Sequence, residues 1–320
     1  LTVVDPLRGN VMWKKGDVSV DSHVFGDDQY LFLAEGNQVG GFGAGRTFRA
    51  NDGEAINAKD FSAIYQARIR VVGRQILAAQ QIQGNFTVRL YDIVSGKDIW
   101  SKQFPAGTQV LSSEDRHITG VIEPKGNVTV LDVETGNVLL ASNVVKGRVT
   151  VEELKTLRQP LLLADSERFY VALNKPIDGR VAGGLLHNNF NNGTRCLPVN
   201  GWFIALHRQD GQKKLGDRDL AWKKGDLAWH TYMPVKNQML IIDQFENLPI
   251  LLFTARYNEM LPNGGNRWVS VTESYSKTSG KMIHESRPAN FNGSAPMFTA
   301  LQLDMKTRTI NLIGFGGSVQ

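Results

Sequence analysis

The chain has 320 residues, a formal net charge of +5 and a single cysteine, Cys196. One cysteine excludes an internal disulfide and a multi-cysteine metal site. Lysine and arginine are spread along the whole sequence rather than clustered among aromatics, which argues against a nucleic-acid binder, and no stretch reaches the roughly 18 apolar residues of a membrane helix.

The first predicted element is a hairpin, TVVDPLRGNVMW, with Asp5, Gly9 and Trp13. The aspartate is placed to bond the turn's own amides, and glycine takes the positive φ of a short loop without a Cβ clash. HVFGDDQYLFLA follows as a second hairpin type, alternating apolar residues around a polar turn, and a weaker copy of the first type aligns on Gly53. RLYDIVSGKDIW repeats the first type in full, with Asp92, Gly96 and Trp100. VLSSEDRHITGVI and then TVLDVETGNVLL continue the alternation, the latter keeping Asp132 and Gly136 with Leu140 in place of tryptophan. TVEELKTLRQP predicts one short helix, with Thr150 as N-cap and Glu153 completing a capping box.

LLLADSERFYVAL opens the next pair, and its glycine copy is read at Gly211, with its tryptophan displaced to Trp222 by an insertion, KKLGDRDLA. Trp229 and His230 then fall in a connection beyond the strand. MLIIDQFENLPILLF and a copy on Gly280 complete the series, and FTALQLDMKTRTINLIG has a hairpin pattern without glycine or tryptophan. Two hairpins every forty-odd residues predict the four-stranded antiparallel blade of an all-β propeller. About six blades are expected, or seven or eight if the chain is part of a longer one. Residues 1–320 form a single domain on this reading, with excision from a longer polypeptide left open, and the ring is closed by pairing of residues 1–15 with 298–315.

The pattern D-x-x-[ST]-G-x-x-x-W, read as DIVSGKDIW and less fully as DPLRGNVMW and DVETGNVLL, resembles the PQQ-like, or quinoprotein-like, propeller repeat. The resemblance implies a propeller and an extracytoplasmic location, periplasmic, envelope-associated or secreted. Its members include quinone-cofactor dehydrogenases and outer-membrane assembly lipoproteins, so it implies no single activity. Quinoprotein dehydrogenases hold PQQ and calcium with many groups and often adjacent cysteines. No such residue transfers to this chain position by position, and no cofactor or metal is expected.

Function is sought where the repeat departs from itself. Three loops are predicted between second and third strands: Gly36 to Arg46, Asn174 to Asn200 and Asn258 to Arg267. They are expected to share a face with Trp229 and His230. The candidate binding residues are Arg46, Arg180, His187, Phe190, Arg195, Trp229, His230, Tyr257 and Arg267. H-E-x-x-H, G-x-S-x-G and C-x-x-C are absent. The chain is therefore read as a non-catalytic scaffold binding a protein partner through its loop-rich face and sheet edges. A PQQ- and calcium-dependent oxidoreductase is the first alternative, and a carbohydrate-binding or carbohydrate-processing propeller the second.

Overall fold

The computed structural model describes residues 1–36, 41–146, 149–176, 195–215, 218–233, 238–242, 245–260, 264–286, 298–304, 306–307, 309–314 and 317–319. Arg180, His187 and Phe190 of the candidate face lie outside them. Strands dominate, and five antiparallel sheets of four or more strands occur among the described residues. In chain order the first blade comprises His23–Gly26, Tyr30–Gly36, Phe42–Arg49 and Ala55–Ile56. The second comprises Arg68–Val72, Gln75–Ile82, Asn85–Asp92 and Lys97–Phe104, and the third Gln109–Leu111, Ile118–Ile122, Asn127–Asp132 and Val138–Asn143. The fourth is Leu161–Ala164, Arg168–Asn174, Gly201–His207 and Leu227–Met233, and the fifth Gln238–Ile241, Ile250–Met260, Asn266–Ser276 and Met282–Ser286. Thr2–Val4 pairs with Val11–Lys14 as a two-stranded sheet, and Phe298–Asp304, Thr309–Gly314 and Gly317–Val319 form a three-stranded one. This is the β-propeller class, with about six blades.

The chain divides into two compact units, residues 1–108 with 131–138, and residues 109–130 with 139–320. In the second unit, alternation on one strand fills two cores. Tyr170 and Ala172 point into one cluster with Phe203, Trp229 and Phe253. Phe169, Val171 and Leu173, which alternate with them in sequence, enter another with Ile118, Val130 and Ile204. A strand buried on both faces has to be apolar at every position, which is why FYVAL reads as a continuous run. In the first unit, Phe32, Phe61, Tyr65, Ile76 and Tyr91 make the corresponding core.

The repeat turns behave as their chemistry requires. Asp5, Asp92 and Asp132 each accept turn amides through Oδ1, from Leu7, Ser95 and Thr135 at 2.9, 2.7 and 2.8 Å. Gly9, Gly53, Gly96, Gly136 and Gly280 all have φ between 65° and 73°. Each donates its N–H to the carbonyl four residues back, as Gly9 does to Asp5 and Gly280 to Ser276. The tryptophan of one repeat then docks on the glycine turn of the next. Trp13 Nε1 donates to Ala50 O at 2.8 Å, three residues before Gly53, and Trp100 Nε1 donates to Val133 O at 2.9 Å, three before Gly136. A Cβ at Gly136 would lie 2.7 Å from the Trp100 ring.

The fourth blade corrects the sequence reading. Trp229 Nε1 donates to Lys277 O at 2.6 Å, three residues before Gly280, and its ring lies against Gly280. Trp229, not Trp222, is therefore the repeat tryptophan, and it sits in an outer strand rather than a connection. Its glycine is Gly225, four residues back at φ 89°, which donates to His207 O while His207 N–H donates to Asp226 O. Gly211 has no positive φ and instead begins an added hairpin, Gly211–Leu215 with Arg218–Trp222, where it pairs directly with Trp222. Three residues separate Asp5 from Gly9, but seventeen separate His207 from Gly225, and the hairpin is the excess.

Much of the predicted loop sequence is strand. Ile250–Met260 and Asn266–Ser276 pair along their whole lengths, so Tyr257 and Arg267 are strand residues, opposite Val269 and Glu259. Arg46 likewise lies within Phe42–Arg49, opposite Leu33. The Asn174 to Asn200 segment ends in a strand, Cys196–Pro198, which adds to the fifth blade through Gln238–Ile241. The capping box at Thr150 and Glu153 is present, and a second five-residue helix, Ser62–Gln66, packs Tyr65 inward.

Removing a buried tryptophan leaves a cavity worth about 3–5 kcal/mol, whereas an incompletely buried ring outside the core is worth about 1 kcal/mol. In denaturant unfolding, Trp229→Ala is expected to show the larger loss and Trp222→Ala the smaller. Equal losses would contradict the assignment of Trp229 as the docking residue.

Candidate functional site

The described members of the candidate face have unlike surroundings. In the first unit, Arg46 is held by two carboxylates, Asp17 at 2.6 Å and Glu35 at 2.7 Å, which makes it a structural cation. In the second unit, Trp229 is buried. His230 follows it in the outer strand, opposite Ile204, with its ring 5.6 Å from that of Trp202. Arg195 is exposed and lines a cleft of about 410 Å³.

That cleft lies where the first strands of the third and fourth blades approach each other. Ser112 forms a parallel bridge with Leu161, and its N–H and C=O bond Pro160 O and Leu162 N, each at 2.8 Å. Leu162, Leu163 and Ala164 form its apolar wall, and Glu114, Asp115, Arg116 and Glu246 bring charges of both signs. Asp115 Oδ1 accepts the His117 backbone N–H at 2.8 Å, so this carboxylate shapes its own turn. The calcium that accompanies a quinone cofactor takes oxygen ligands, chiefly grouped carboxylates and carbonyls. Among the described residues no three His, Cys, Asp or Glu side chains group in that way. The described residues supply no such grouping.

Behind the cleft wall is a polar cluster that sequence reasoning missed. Asp165 and Lys277, both almost fully buried, are 3.3 Å apart. Tyr170 Oη donates to Asp165 Oδ2 at 2.7 Å, while the Glu167 and Arg168 amides donate to Oδ1 at 2.9 and 2.8 Å. The Lys277 ammonium also donates to Phe245 O and sits 4.2 Å from the centre of the Phe245 ring. Burial pushes the Asp165 carboxyl up, but the Tyr170 hydroxyl, the two amides and the Lys277 charge outweigh it and hold the pKa below the usual value. Burial, and then Asp165, raise the Tyr170 hydroxyl far above its ordinary range, so it stays a donor. These partners are all internal. The cluster therefore ties the first turn of the fourth blade to the last turn of the fifth, and offers no group to a substrate. Its only sequence signal is the polar turn ADSER inside an apolar hairpin.

Glu153 is treated similarly. The Lys175 ammonium at 2.7 Å and the Thr150 amide hold its carboxyl down at about 2. Cys196 is half-buried in its added strand, opposite Ile241.

No family model matches the chain, and no curated protein matches it. Solved structures do match. BamB from Moraxella catarrhalis is 10% identical, with 99% of this chain and 86% of that one covered and a TM-score of 0.30. The quinohemoprotein alcohol dehydrogenase ADHIIG from Pseudomonas putida HK5 is 13% identical, with 91% and 45% covered and a TM-score of 0.34. The quinohemoprotein alcohol dehydrogenase from Comamonas testosteroni is 12% identical, with 91% and 51% covered and a TM-score of 0.33. The chain spans about half the length of the two dehydrogenases. None of the three reaches 25% identity or a TM-score of 0.5, so they carry no residue role to this chain.

A carboxyl whose pKa is depressed by folding contributes stability above its unfolded value, 3.8 here, and loses it as pH falls through the folded value. Asp165→Asn is therefore expected to lower the melting midpoint at pH 7 and to flatten the further loss between about pH 5 and pH 2. A variant with the same acid slope as the parent would show that Asp165 does not carry this linkage.

Proposed function

We propose that this chain is a non-catalytic, PQQ-like propeller that binds a protein partner in an extracytoplasmic compartment. What supports the reading is a pattern on the last strands of the sheets. Two or three residues beyond the repeat glycine, Val11 and Met12, Ile99, Val138, and Met282 and Ile283 are all apolar and 46% to 59% exposed. Scattered exposed apolar residues need no explanation, but these recur two or three residues after four of the repeat glycines, on strands that end their sheets. Such an edge presents backbone donors and acceptors to an extended segment of another chain, and the apolar side chains give it something to select.

The buried polar groups point the same way, since Asp165, Tyr170 and Lys277 are spent on holding two blades together. As part of this proposal, residues 1–320 make one ring in which residues 1–15 and 298–315 complete a blade. The two-stranded sheet at Thr2–Val4 and Val11–Lys14 is two strands short of a four-stranded blade. The loop-rich face, with Arg195, is the second contact surface.

The test is partner capture by immobilised chain from an envelope extract, with Met282→Lys/Ile283→Lys and Val11→Lys/Met12→Lys as variants. Both pairs are expected to lose captured protein at an unchanged melting midpoint, because a charge on an exposed edge blocks strand addition without touching the core. Undiminished capture would reject the edges. A ligand that binds only the native state raises the melting midpoint, so a saturable rise with PQQ and calcium would replace the scaffold reading with an oxidoreductase. No rise is expected.

A further inference from the structure

Trp222 is left without a part in the repeat once Trp229 fills the docking position. It stands at the end of the hairpin inserted between His207 and Gly225, and that hairpin forms a small sheet of its own. His207 occupies the place where Asp5, Asp92 and Asp132 stand in other copies. Instead of capping the turn, its imidazole stacks on the Trp222 indole, centroids 4.5 Å apart and planes at 18°. Gly211 adjoins the indole edge, where a Cβ would lie 2.5 Å from Cζ2. The indole is thus braced on one face and along one edge.

Two clefts adjoin this ring. One, of about 590 Å³, carries Asp210, Gln212 and Asp226, and the other, of about 440 Å³, carries Ser166, Gln209 and Thr278. Asp210 and Asp226 are fixed in place, each accepting a backbone N–H through one oxygen, from Lys224 at 2.7 Å and Lys223 at 2.8 Å. The charged side chains lining the two clefts nearly cancel, with Glu167, Asp210 and Asp226 against Arg168 and Lys223. Burial, and then the Arg168 charge, lower the His207 pKa. A strongly charged ligand therefore finds no matching field. A neutral ligand with many hydroxyls finds an aromatic face, carboxylate and amide acceptors, and hydroxyl and amide donors.

We propose that the inserted hairpin of the fourth blade is a carbohydrate subsite, in which a neutral pyranose stacks on Trp222 and donates hydroxyl protons to Asp210 and Asp226. The site shares no residue with the sheet-edge positions of the protein-partner reading or with the candidate loop face, so either can fail without the other. Binding buries one sugar ring on one indole, and affinity at single-site level is weak, with Kd on the order of 1 mM.

The experiment is isothermal titration of the full chain with cellotetraose, mannotetraose and chitotetraose, with tetralysine as the cationic control. At least one neutral tetrasaccharide is expected to bind saturably. Trp222→Ala is expected to weaken it by about tenfold or more and Asp226→Asn by about fivefold, while Trp222→Phe retains part of the binding. Melting curves of each variant, close to that of the parent, separate loss of the site from loss of fold. Absence of binding by all three sugars, binding unaltered in Trp222→Ala, or preferential binding of tetralysine would each overturn the proposal, the last in favour of a cationic peptide segment.

Discussion

The docking of an outer-strand indole on a glycine turn of the following repeat is the interaction on which the blade order depends. The turn must lack a Cβ, because the ring occupies that space, and it must present a carbonyl three residues earlier to take the indole N–H. Trp13 with Gly53, Trp100 with Gly136, and Trp229 with Gly280 repeat this in the same atoms. A single hairpin has nowhere to bury so large an apolar surface. Each blade is therefore incomplete until its neighbour is present, as in other repeat architectures.

Where the indole is missing, other contacts stand in. Lys59 packs its methylenes against Gly96, with its Cδ 2.8 Å from where a Cβ would be, and the charged head can remain in water while the stem covers the turn. At Gly225 the backbone carbonyl of Ala141 approaches instead, and Ser142 Oγ donates to Gly225 O at 2.6 Å. Between the fourth and fifth blades the indole is reinforced by Lys277, whose carbonyl takes the Trp229 N–H while its ammonium meets Asp165. A buried ion pair of this kind is weak evidence for net stability, since desolvation offsets most of the attraction. What it adds is register, because Asp165 is satisfied only when the last turn of the fifth blade is in place.

With the repeat so regular, departures from it are informative about function. The inserted hairpin places a second tryptophan beside His207, and the added strand Cys196–Pro198 commits the end of a long insertion to the fifth blade rather than to solvent. These two features distinguish the second unit from a plain array of blades.

Much of this was legible in the amino-acid sequence because it is local. The aspartate, the glycine and the turn between them lie within five residues, the alternation of FYVAL and its neighbours reports two-sided burial, and the Thr150 capping box closes over four residues. The repeat GDLAW at Gly225 was equally visible, but the nearer Gly211 and Trp222 offered a competing alignment, and only docking against Gly280 distinguishes the two tryptophans. Strand ends follow the same logic. Arg46, Tyr257 and Arg267 lie in strands because pairing with a neighbouring strand, not local propensity, sets where a strand stops. Asp165, Tyr170 and Lys277 carry no common motif, since Lys277 reaches the others only after two blades have packed. Turn chemistry and periodicity were determined by the sequence itself; which aromatic is buried, which loop becomes a strand and which charges meet were decided by the tertiary structure, because each depends on residues remote along the chain.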